Sequence, residues 1–108
     1  MDEREYMSHA EAAFKRIENA FAEVDPDIVD CERTQGDVLT ITFGDGKRCI
    51  INTQRPTKQI WVAANARAWH FSFDETGQVW RDDKDASLEL YPALVRIVQE
   101  AAKTSVRF

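Results

Sequence analysis

The amino-acid sequence predicts an α+β fold, a two-layer sandwich of helix, six-stranded mostly antiparallel sheet and helix, with both helices on one face of the sheet. Three observations carry this expectation. Apolar residues recur every three or four positions near both ends of the chain, whereas between Ile28 and Arg81 they recur every second position. The segments joining the period-two stretches are rich in turn residues. They are also short, which leaves no room for the crossover helices that parallel strands need. With 108 residues the chain has the length of one domain, spanning 1–108, around a single core.

Tyr6, Ala10, Ala13, Ile17, Ala20, Phe21 and Val24 lie at helical spacing with Phe14 beside them, so a first helix is expected between Glu5 and Val24. Asp25-Pro26 ends it, because the proline ring drives the preceding residue out of helical dihedrals. VDCERT, VLTITF, RCIINTQ, QIWVAAN, AWHFSFD and QVWR read as strands, separated by QGD, GDGK, RPTK, NAR and ETG. Asp45-Gly46 and Thr76-Gly77 are tight-turn pairs, so successive strands join as hairpins in a meander. Leu90, Leu94, Ile97, Val98 and Ala101 mark a last helix that runs to about Lys103. Pro92 belongs in its first turn, near a start at Glu89 to Tyr91, since an interior proline loses a backbone hydrogen bond and clashes. Asp85 and Ser87 form the approach, and the tail TSVRF packs back through Val106 and Phe108.

Apolar residues make up 44% and charged residues 31% of the chain, an ordinary balance for a soluble globular protein. No apolar run reaches the roughly 18 to 20 residues of a membrane span, and the acidic start MDEREYMS lacks the basic flank and apolar centre of a signal peptide. A cytoplasmic protein is the expectation. Cys31 and Cys49 have no metal-ligand spacing and are expected as reduced, partly buried thiols; a disulfide requires the strands to bring them together. The net charge of −5 is unevenly placed: residues 1–32 hold ten acids against three bases, and the remaining 76 residues nine acids against eleven bases. An anionic end of this kind argues against nucleic acid as the partner and points to cations or basic protein surfaces.

Alternation sends Leu39, Ile41, Phe43, Ile51, Thr53, Phe71 and Phe73 toward the helices, which leaves the opposite sheet face open. Trp61 then points outward, with Asn52, Gln54 and Gln59 around it, and faces His70 if NAR is the turn between the two strands. An indole flanked by amides on an open sheet suits a protein-contact patch; simple cross-strand packing on a solvated sheet is the alternative. His70 has no second ligand of the usual kind nearby and reads as a solvated side chain rather than a metal ligand.

Glu11, Glu18 and Asp25 are seven residues apart and fall on one stripe of the first helix and its end. Asp27, Asp30 and Glu32 continue the acidity into the first strand, with Asp30 and Glu32 outward if Val29 and Cys31 face in. Carboxylate oxygens are hard ligands that suit magnesium, calcium, manganese and iron ions. Lys15, four residues after Glu11 and three before Glu18, is placed to neutralise part of the stripe, which would make it an ordinary solvated helix face. There is no HExxH, P-loop or GxSxG and no Cys/His pair at ligand spacing, so no enzyme is expected.

The acidic first helix, DCE at 30–32, VLTITF at 38–43, IIN at 50–52 with Gln54 and Pro56, QIWVA at 59–63 and HF at 70–71 together resemble the bacterial frataxin (CyaY) family over essentially the whole chain. The resemblance implies the frataxin-like form of this fold and a role in iron–sulfur cluster assembly. It implies weak iron binding and docking on the cysteine desulfurase and scaffold machinery, with iron-dependent modulation of cluster formation. Carried over by position, Glu11, Glu18, Glu23, Asp25, Asp27, Asp30 and Glu32 match the family's iron-binding acidic ridge. Asn52, Gln54 and Trp61 match its partner-binding sheet patch, which His70 and Gln59 extend. The sequence departs from the family where Asn19 follows Glu18 and where Ala22 and Val24 flank Glu23, which thins the ridge of adjacent acids and implies weaker iron binding. Two other functions fit the same residues: an iron chaperone or storage protein with weak ferroxidase activity, and a protein-binding module whose acids only solubilise. A monomer that iron can drive to oligomerise is expected.

Overall fold

The computed structural model describes residues 1–108. The elements are α1 (Glu3–Ala22), β1 (Val29–Thr34), β2 (Val38–Phe43), β3 (Arg48–Gln54), a one-turn 3-10 helix (Arg55–Thr57), β4 (Gln59–Ala64), β5 (Arg67–Asp74), β6 (Val79–Asp82) and α2 (Leu90–Ala102). All six strands form one sheet in chain order, and every neighbouring pair is antiparallel. The predicted meander is therefore the observed one, with RPTK shaped as the 3-10 turn between β3 and β4.

α1 starts two residues earlier than the apolar stripe suggests, because the Asp2 side chain caps it: the Glu5 N–H donates to Asp2 Oδ1 at 2.8 Å. It also ends before Asp25-Pro26. The last helical residue is Ala22, and the Val24 N–H falls back on the Phe21 carbonyl at 3.1 Å, so the helix has unwound before the proline acts. Its buried side carries Tyr6, Ala10, Ala13, Phe14, Ile17, Ala20 and Phe21, and α2 buries Leu90, Ala93, Leu94, Ile97 and Val98. Both meet Leu39, Ile41, Ile51, Ile60, Val62 and Phe71 of the sheet in one continuous core. Pro92 sits in the first turn of α2 behind Glu89, where its missing N–H leaves no ladder bond unmade. The tail folds back as expected: Val106 is buried, and the Phe108 ring stacks on Tyr91 at 5.2 Å and meets Phe21 edge-on at 6.0 Å.

The β4–β5 reversal is made by Asn65 and Ala66, both in the left-handed region at φ 52° and 61°, the type I′ geometry that suits the sheet's twist. At the β5–β6 turn the left-handed residue is Gln78 (φ 56°) and not Gly77. A Cβ at Gly77 would lie 2.9 Å from Asp74 Oδ2 and 3.0 Å from Arg81 Nη2, the movable ends of two paired side chains, so a larger residue there would displace that ion pair rather than strain the backbone. Cys31 pairs in register with Ile41, and Ile41 with Cys49, so the cysteines are two strand widths, about 10 Å, apart and beyond disulfide reach. Both thiols are free; burial pushes Cys31 up to about 11 and Cys49 to about 12, so neither is a thiolate at neutral pH. No helix is long and apolar enough to cross a membrane.

Candidate functional site

On the open face the register aligns Val38, Asn52, Trp61 and His70 in one row across four strands. The Trp61 indole and the His70 imidazole stack, with ring centroids 4.3 Å apart and planes 20° from parallel. Trp61 Nε1–H donates to Gln59 Oε1 at 2.9 Å, and Gln59 Nε2 in turn donates to Ser72 Oγ at 3.1 Å and reaches Asp83 Oδ2 at 3.4 Å. Asp83 Oδ2 also lies 3.6 Å from His70 Nδ1, while the Asp83 N–H donates to the His70 carbonyl at 2.9 Å. The indole is thus held at a fixed tilt while its ring remains half-exposed. The next row holds Ile50, Ala63 and Ala68, whose small or half-buried side chains leave the ring uncovered. Asn52 turns its amide to the Thr53 carbonyl at 3.1 Å, and Gln54 lies opposite Gln59 at the end of the patch.

All five predicted patch residues are therefore on one face. Asp83 and Ser72 complete their network. Ser72 shares the outward parity of His70 and was legible; Asp83 lies just past β6, and only the pairing of Phe71 with Asp82 carries it across to His70.

The ridge is built differently from the expectation. Asp30 and Glu32 point outward from β1, and Glu23, Asp25 and Asp27 are exposed along the α1–β1 connection, where Asp25 Oδ1 accepts the Asp27 N–H at 2.9 Å. Glu11 and Glu18, however, converge on Arg33 rather than on Lys15, which makes no ion pair. Arg33 Nη1 donates to both Glu11 oxygens at 2.8 and 3.1 Å, and Nη2 donates to Glu18 Oε1 at 2.5 Å. The cause is parity: Val29 and Cys31 face inward on β1, so Arg33 does too, and its guanidinium meets α1 above the Phe14 ring. The hydrogen bond from Arg33 holds the Glu11 carboxyl below the usual carboxylate range. Oxygen donors of this kind suit a hard cation such as iron, yet nowhere do three or more His, Cys, Asp or Glu side chains come together to hold one. The ridge is a charged surface without a preformed cage.

Residues 1–104 match the family model described as the frataxin-like domain. The chain belongs to the frataxin (CyaY) family. Frataxin relatives include the iron–sulfur cluster assembly protein CyaY of Ralstonia pickettii, 41% identical over 98% of this chain and 93% of the relative. That of Paraburkholderia xenovorans is 39% identical over 100% of this chain and 98% of the relative. Among solved structures, frataxin from Psychromonas ingrahamii superposes with a TM-score of 0.88 at 26% identity, covering 98% of this chain and 96% of its own. The helix, six-stranded antiparallel sheet and helix expected from the residues, in the frataxin-like form that the resemblance implies, are the fold observed.

Proposed function

We propose that the protein is an iron-responsive adaptor of iron–sulfur cluster assembly that docks on the cysteine desulfurase of that machinery through the open sheet face. The single observation that carries this reading is Trp61: a half-exposed indole locked by Gln59 and stacked on His70 is a preorganised anchor, which loses little freedom when a partner covers it. The names of the relatives support the pathway, and the anionic α1–β1 surface supports a basic partner. Iron enters as a weakly held ion on the exposed carboxylates of Glu23, Asp25, Asp27, Asp30 and Glu32, where hard oxygen donors would share its coordination with water. The thinned run of adjacent acids, with Asn19 after Glu18 and with Ala22 and Val24 beside Glu23, makes a storage role with ferroxidase chemistry the poorer fit.

The test is an amide NMR footprint of the protein with the desulfurase added. Signals of Asn52, Trp61, Ala63 and His70 should broaden together with those of the β1 acids. Broadening confined to α2 would contradict the assignment.

A further inference from the structure

Arg33 is an odd residue to find on the inward parity of an edge strand, and its surroundings define what it does. Its side chain is only 18% exposed, whereas Glu11 and Glu18 keep 46% and 38%. One guanidinium edge spans both carboxylates, the plane lies over Phe14 with 5.3 Å from Cζ to the ring centroid, and Nε is buried without a partner. The guanidinium fork is matched to carboxylate geometry and stays charged at any physiological pH. Lys15, by contrast, is exposed and free of such constraint.

We infer that Arg33 is the resident counter-cation of the ridge, occupying Glu11 and Glu18 and closing that half of the surface to metal ions. The inference rests on the reading that ridge carboxylates take cations, and it divides them into two classes. Glu11 and Glu18 are spoken for. Glu23, Asp25, Asp27, Asp30 and Glu32 make no ion pair and remain open to solvent. A divalent ion reaching Glu11 and Glu18 must displace a largely buried guanidinium that makes no other ion pair.

The experiment is a manganese(II) titration at physiological salt, where long-range attraction is screened, read as paramagnetic broadening of amide signals. In the native protein the Glu11 and Glu18 amides should be spared at concentrations that broaden those of residues 23–32. R33Q should bring broadening to Glu11 and Glu18 and raise the apparent affinity about fivefold, and R33K, which keeps the charge but loses the fork, should fall between. The E11Q/E18Q variant, which keeps Arg33, should bind manganese within about twofold of the native protein, which tests the inference even if R33Q does not fold. Equal broadening along the whole ridge of the native protein overturns the inference, as does R33Q with no gain at Glu11 and Glu18. If the native protein broadens only at 23–32 and R33Q gains nothing, the cation reading stands and the role of Arg33 falls. If broadening appears only in R33Q, Arg33 holds its role and the native ridge binds no metal.

Discussion

The hydroxyl of Tyr6 joins the first helix to the strands that carry the site. The side chain is fully buried; its hydroxyl donates to the Gln59 carbonyl at 2.6 Å and accepts the Gln54 N–H at 3.0 Å. Y6F should leave both backbone groups without this partner and lower stability by about 1–3 kcal/mol, read as a lower denaturant midpoint at unchanged slope. An unshifted midpoint would mean that the two groups find other partners. Burial raises the Tyr6 hydroxyl above its ordinary 10.0, so its contribution to stability is fully present below that pH and is lost as pH rises through the folded value. Y6F should therefore also flatten the fall in stability at alkaline pH. At this scale the sequence was partly legible. The outward set around Trp61 followed from alternation alone, because period two admits only two faces. The pairing of Arg33 did not, although the same alternation places it inward: charge is assumed to face water, and Lys15 stood at the usual helical spacing while Arg33 came from another element.

The hairpins set the register on which every face assignment depends. In the β4–β5 turn Ala66 holds φ at 61°, a conformation that costs an L-residue with a Cβ about 1–2 kcal/mol. A66G relieves that strain and increases unfolded-chain entropy by a smaller amount, so a net gain of about 0.5–1 kcal/mol is expected, with Trp61 still stacked on His70. Thermal or denaturant unfolding of the variant measures it, and a loss of stability would show that the turn is not strained by its side chain. Element types and order were readable because the change from helical to alternating period is sharp and the turn residues sit between the strands. The ends of α1 were less so: Asp2 caps from outside the apolar stripe, and the C-terminus unwinds at Glu23, ahead of the proline that marks it in sequence. Gly77 marks the β5–β6 turn in the sequence, but the left-handed position falls one residue later, at Gln78, which residue types alone do not reveal.

Across the whole molecule, charge and shape divide the labour. The first 32 residues carry a net −7 and the rest +2, and the fold lays the acids along α1 and β1 while the Trp61 patch lies on the sheet face away from the helices. In the proposed docking the acids act on approach, and the Trp61 patch, once covered by the partner, acts on residence. Association with the desulfurase should slow severalfold as salt is raised past the point where the screening length falls below about 8 Å, with dissociation little changed. Stopped-flow association at two salt concentrations measures this, and salt-independent rates would deny the ridge its steering role. The distribution of charge was visible in the sequence. What it could not reveal was whether the carboxylates converge, since that depends on side-chain partners drawn from separate elements. The central claim, that the open sheet is a docking surface anchored by Trp61, is tested most directly by comparing the affinities of the native protein and W61A for the cysteine desulfurase. The account predicts a loss of about 2 kcal/mol or more, roughly thirtyfold, with unfolding stability nearly unchanged. Equal affinity of the two proteins would contradict it.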